Sequence, residues 1–207
     1  MADDASTDWP SPERSVSGNV LTSATDPAIR VVVPDDAEYI GSVRWPLYNV
    51  TDAEMHVFVE ADDYGLVERF YWIQFESYLD DNHHTFDYPQ SNPQTMELDG
   101  RTVHVLPGMT MANPPEIREG SDGSMFRQLV AEAGYRLPTY MANVRFVELF
   151  EPSHRKELMI IYGENLDAVI TQLGAAQARG RESFAFAEMY PPLIERAASN
   201  LDLITSD

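Results

Sequence analysis

No cysteine occurs among the 207 residues, which excludes disulfides, thiolate zinc sites and cysteine nucleophiles. Lysine is nearly as scarce: Lys156 is the one lysine among 14 basic residues, and the rest are arginine. No apolar run approaches the roughly 20 residues that a membrane helix needs. The opening stretch MADDASTDWPSPERS is acidic where a secretory leader would be basic and then apolar, so the expected location is cytoplasmic. The Gly-rich spacings that cradle phosphate are missing between strand and helix, and so are HExxH and the nucleophile elbow. No cofactor is therefore expected.

Charge of one sign dominates. The balance of 34 acidic against 14 basic residues gives a net charge of -20, which repels nucleic-acid phosphates and anionic lipid at long range. Neither nucleic acid nor membrane is an expected partner. Arginine in place of lysine, with surplus carboxylate, fits a GC-rich genome or a high-salt habitat where screening relieves self-repulsion. The charge speaks of solvation rather than of a site.

A composition of 43% hydrophobic and 11% aromatic residues supports one substantial core. Residues 1–28 contain Pro10, Pro12 and Pro27 among many Ser, Thr and Asp, without apolar periodicity; they are expected to form a disordered or loosely attached acidic arm. Residues 29–207 are expected to form a single α+β domain. Strands are expected at 29–33, at 55–61 with Met55, Val57 and Val59 on one face, and at 67–79. The turn Asp62-Asp63-Tyr64-Gly65 joins the last two as a hairpin. A second hairpin is expected around Asp99-Gly100, then a long connection over 107–120.

A helix capped by Ser121 or Asp122 presents Met125, Phe126, Leu129, Val130 and Ala133 as one stripe up to Gly134. Strands at 143–150 and 157–162 follow, then helices over 166–180, 183–190 and from Pro191-Pro192 onward. The expected fold is α+β: a curved antiparallel sheet of about six to seven hairpin-connected strands, covered by a central helix and C-terminal helices.

Chemistry concentrates in the run LVERFYWIQFESYLDDNHHTFDY. Alternation puts Arg69, Tyr71, Ile73 and Phe75 on one face and Phe70, Trp72, Gln74, Glu76 and Tyr78 on the other. A strand with bulk on both faces must bury both, and rings interrupted by one amide and one carboxylate suit an organic ligand. The expected ligand-binding residues are Phe70, Trp72, Gln74, Tyr78 and Arg145, with the loop 80–94 at the rim.

Arg145 is a candidate anion clamp or, alternatively, the cross-strand partner of Glu157. Glu76, His83 and His84 are the candidate catalytic groups, a general base being the role their chemistry allows. No metal is expected; His83, His84 and Asp87 are the residues that would hold one, joined by His56 and His104 of other expected strands if those strands adjoin. Two other functions compete with small-ligand binding. One is a cofactor-independent hydrolase or isomerase on the same cavity. The other is an interaction protein, with a homodimer or heteromer formed through the aromatic face and the stripe Phe184, Phe186, Met189, Tyr190, Leu193 and Ile194.

Overall fold

The computed structural model describes residues 9–150, 152–166 and 189–205. Its architecture is mostly antiparallel β. Seven strands form the larger sheet: β4 (Glu38–Leu47), β5 (Thr51–Ala61), β6 (Val67–Tyr78), β7 (Thr95–Leu98), β8 (Arg101–Met111), β9 (Tyr140–Leu149) and β10 (Lys156–Asn165), in the order β4-β5-β6-β10-β9-β8-β7. Four short strands form the smaller sheet: β1 (Ser15–Ser17), β2 (Val20–Ser23), β3 (Ile29–Val32) and β11 (Asp202–Thr205), in the order β1-β2-β3-β11. Neither closes into a barrel. The described helices are α1 (Tyr88–Ser91), α2 (Asp122–Glu132) and α3 (Tyr190–Ser199).

The two faces of β6 divide the interior as its alternation requires. Tyr71, Ile73 and Phe75 belong to a core shared with Leu21, Ile29, Val31 and Leu203 of the smaller sheet and with Leu193 and Ala197 of α3. Phe70 and Trp72 belong to a second core, with Met125, Phe126, Leu129 and Val130 of α2. A β-bulge between Tyr39 and Gly41 places Gly41 at φ +140, and a Cβ there would lie 3.3 Å from Leu129. Glycine at the bulge therefore lets α2 approach β4.

Three expectations change. The segment 1–28 is no loose arm over its described part, because β1 and β2 form a hairpin around Gly18 and Leu21 is fully buried. Only long-range partners explain this. Leu21 packs under the larger sheet, and Arg14 donates to the buried carboxylate of Glu54 at 3.0 Å while lying 4.3 Å over the Phe75 ring. That carboxylate also accepts His56 Nε2 at 2.8 Å, and the Tyr39 hydroxyl meets His56 Nδ1 at 3.2 Å, so the polar chain satisfies itself between the sheets.

The connection expected over 107–120 is shorter, since β8 continues through Pro107 to Met111. Proline is tolerated there because β7 pairs only as far as His104, leaving the outer edge of β8 without a ladder to break. At the C-terminus the helix ends at Ser199, and Asp202–Thr205 instead pairs with β3. The helices expected over 166–180 and 183–190, including Phe184 and Phe186, lie outside the described residues apart from their ends.

Candidate active site and ligand cavity

On the α2 side of the larger sheet, Trp72 stacks on Phe126 with ring centroids 5.0 Å apart and planes 13° from parallel, and Phe70 meets the same ring at 4.8 Å. A cavity of about 250 Å³ opens beside them. Its apolar wall is Phe70, Trp72, Phe126, Met141 and Ile161; its polar wall is Thr110, Asp122, Arg127, Asn143 and Arg145. Asn143 Nδ2 donates to Thr110 Oγ1 at 2.7 Å. Arg127 is anchored by its Nε on the Ala112 carbonyl and by Nη1 on the Gly123 carbonyl. Burial pulls the Arg127 guanidinium pKa below its ordinary value.

Behind the indole runs a buried polar relay. Trp72 Nε1 donates to Gln74 Oε1 at 2.7 Å, and Gln74 Nε2 donates to Glu76 Oε1 at 2.6 Å and to Asp122 Oδ1 at 3.1 Å. Thr51 Oγ1 donates to Glu76 Oε2 at 3.3 Å. Glu157 stands directly opposite Glu76 across β10 and β6. It is 2% exposed, and its Oε2 has no hydrogen-bond partner.

Two facing carboxyls in a dry site resist ionisation. Desolvation, reinforced by the charge of Asp122, raises Glu76 to about 7. Desolvation and Glu76 push Glu157 up as well, and burial raises Asp122. Arg145 opposes all three shifts. Tyr88, at the start of α1, lies beside this cluster and is raised to about 12, first by burial and then by Glu157. Glu76 is thereby the member of the group placed to hold and release a proton near neutrality.

No family model matches the chain, and neither a curated protein nor a solved structure shows significant similarity to it. The chemistry of the site is therefore read from its own geometry.

Phe70, Trp72 and Arg145 line the cavity, while Gln74 and Glu76 sit behind it. Tyr78 lies farther along β6, 4.6 Å from the Phe86 ring with the Arg155 guanidinium 5.7 Å away. His83 and His84 are exposed on the loop, the latter 6.5 Å from Tyr78. The rim comes from residues 110–112 and the first turns of α2 rather than from the loop 80–94.

His56 is on the opposite face of the sheet, bound to Glu54, and His104 stacks near Tyr88 with its Nδ1 2.8 Å from the Asn92 carbonyl. Among the described residues no group of three His, Asp or Glu is placed to hold a metal, so His83, His84 and Asp87 do not converge. The cross-strand pairing of Arg145 with Glu157 does not form either. Register sets Glu157 against Leu149 and Arg145 against Ile161.

Sequence reasoning missed Asp122, Phe126, Arg127 and Glu157 as site residues. Phe126 was visible as part of the apolar stripe, and Asp122 as the start of a capped helix. The cap is Ser121, whose Oγ accepts the Ser124 amide at 3.3 Å. Ser121→Ala is expected to cost about 1 kcal/mol in urea unfolding; an unchanged midpoint would show the cap to be idle.

A second cavity of about 90 Å³ is lined by charged groups. Those groups are already partnered: Arg14 with Glu54, Arg44 with Asp52 and Glu13, Lys156 with Asp26, and Glu76 with Gln74 and Thr51 on its other side.

Proposed function

We propose that this chain binds a small organic molecule in the cavity between α2 and the larger sheet. The observation that carries the reading is the stacked wall of Trp72 and Phe126 facing convergent polar groups, since ligand sites combine apolar area with a few orienting donors. A curved sheet, concave toward α2, belongs to this reading. At about 250 Å³ the space is smaller than the roughly 300–1,000 Å³ of drug-sized pockets. A single ring or a short chain fits it.

The test is a screen of single-ring and short-chain compounds, read by NMR at the Trp72 indole N–H. Hits should perturb Trp72 and vanish in Met141→Trp, which fills the cavity. Hits that persist in the filled variant, or that map elsewhere, would end this reading.

A cofactor-independent enzyme is the second reading, favoured by Glu76 at about 7, the range in which a carboxyl serves as acid or base at neutral pH. Glu76 lies behind Gln74, whose amide bridges it to Asp122, and the Asp122 carboxylate reaches the cavity. Glu76→Gln should then abolish turnover and leave binding in place. For the interaction reading, the described part of the C-terminal stripe offers little surface, because Leu193 is buried and Met189 and Ile194 pack on the core.

A further inference from the structure

The polar wall of the cavity is unevenly charged. Two guanidinium groups, Arg127 and Arg145, face one carboxylate, Asp122, in a chain whose acidic residues outnumber its basic ones by 34 to 14. Among the described residues, Arg14, Arg44, Arg69, Arg101, Lys156 and Arg196 are all committed to carboxylates. Among the described residues neither Arg127 nor Arg145 has a carboxylate within 4 Å; the same holds for Arg30, Arg118 and Arg136, which are exposed, and for Arg155, which donates to backbone carbonyls. Arg127 and Arg145 are both half-buried; Arg145 feels Asp122, Glu76 and Glu157 without contacting them, and burial pushes those carboxyls toward their protonated forms, so the wall keeps a surplus of positive charge that an incoming anion relieves.

The one carboxylate in the wall is itself engaged, since Asp122 Oδ1 accepts the Gln74 amide at 3.1 Å. It also opens α2, whose N-terminal dipole favours negative charge at that end. Arg127 spends Nε and Nη1 on carbonyls, which leaves Nη2. Arg145, beside the Tyr88 hydroxyl, has its planar fork to offer.

Building on the ligand-binding reading, we infer that the ligand is a small organic monoanion, an aromatic or short aliphatic carboxylate, whose apolar body stacks along Trp72 and Phe126 and whose acid group is held by Arg145, with Arg127 as the second cation. Asp122 then sets the charge limit: one negative charge balances the wall, and a dianion overfills it.

The test uses three probes that share one ring and differ in charge, benzoate, benzyl alcohol and benzylamine, titrated into the full chain at neutral pH and read at the Trp72 indole N–H. A charge-assisted bidentate contact predicts benzoate binding at least about tenfold tighter than benzyl alcohol. Arg145→Gln should erase that margin and leave benzyl alcohol unchanged. If the variant does not fold, the three-probe ranking on the unaltered chain still decides.

Equal affinities for the three probes would overturn the anion assignment and leave the pocket standing. Tightest binding of benzylamine would overturn it in favour of Asp122 as the anchor. No response at Trp72 to any probe at about 10 mM, above the ~1 mM range of weak fragments, would remove the pocket and the anion together.

Discussion

Glu157→Gln is expected to stabilise the protein at pH 8 and to leave it nearly unchanged at pH 5. Glu76 and Glu157 face each other across β6 and β10, both buried, and Glu157 Oε2 has no hydrogen-bond donor. A carboxyl raised in the folded state keeps its proton where the unfolded chain has lost it. Its stabilising contribution is therefore complete below the unfolded value of 4.5 and disappears as pH rises to about 7 and beyond. For Glu76 that window corresponds to something on the order of 3 kcal/mol, and Glu157 shifts in the same direction.

Glu54 has the opposite sign. Burial pushes it up, but hydrogen bonds from His56 and from the Glu13 and Arg14 amides, together with the Arg14 charge, outweigh this and hold it down at about 2, so its contribution is present above 4.5 and fails only in acid. Stability should peak near pH 5. The amide introduced at 157 cannot ionise and can donate to Glu76, so the gain at pH 8 should be about 1–3 kcal/mol, or very roughly 2–10 °C in Tm for a chain of this size. Measuring both proteins in about 1 M salt separates the buried pair from the general repulsion of an acidic surface, which that salt screens to about 3 Å. A wild-type stability that is flat from pH 5 to pH 8, or a variant weaker at both, would contradict the account.

The same carboxyl pair shows where sequence reasoning stops. Alternation along β6 is a local property, so both of its faces could be read from LVERFYWIQFESY without any knowledge of neighbours. Which residue faces Glu76 depends on the register between β6 and β10, strands separated by some 80 residues of chain, and no local pattern encodes that offset. Arg145 illustrates the cost. Its two readings were an anion clamp and a direct cross-strand partner of Glu157, yet it stands four residues from the position opposite Glu157, which sets it against Ile161 and into the cavity wall.

Apart from β3, whose apolar run IRVVV stands out, the smaller sheet was illegible for a related reason. β1, β2 and β11 are three or four residues long, too short for periodicity to register. They exist because the Phe58, Tyr71, Ile73 and Phe75 face needs cover. Composition made residues 1–28 look unable to bury surface; the surface they bury belongs to another part of the chain. The helix α2 was legible because its cap, stripe and terminal glycine lie within fourteen residues.

Gly163→Ala should destabilise the protein strongly and should act on the cavity as well as on stability. Gly163 is paired directly across from Phe70, and a methyl group there would overlap the edge of the Phe70 ring. The ring has nowhere easy to go. It is 5% exposed and already rests 4.8 Å from Phe126, which in turn stacks on Trp72 at 5.0 Å. Backbone shifts are resisted because β6 and β10 are interior strands, each hydrogen-bonded on both sides. The remaining direction is into the cavity that Phe70 lines.

Overpacking of this kind costs about 1–3 kcal/mol and sometimes more, and the upper end is expected here because the clash is with a buried ring already packed against Phe126. Affinity for a cavity ligand should fall in parallel. Phe70→Leu distinguishes this from a general weakening of the strand. Alone it removes ring contacts and destabilises, whereas in the Gly163→Ala background it should restore part of the loss, giving a coupling of about 1–3 kcal/mol between the two positions. Chemical denaturation of the four proteins measures that coupling. Simple additivity would mean that Gly163 is kept for some reason other than the ring above it.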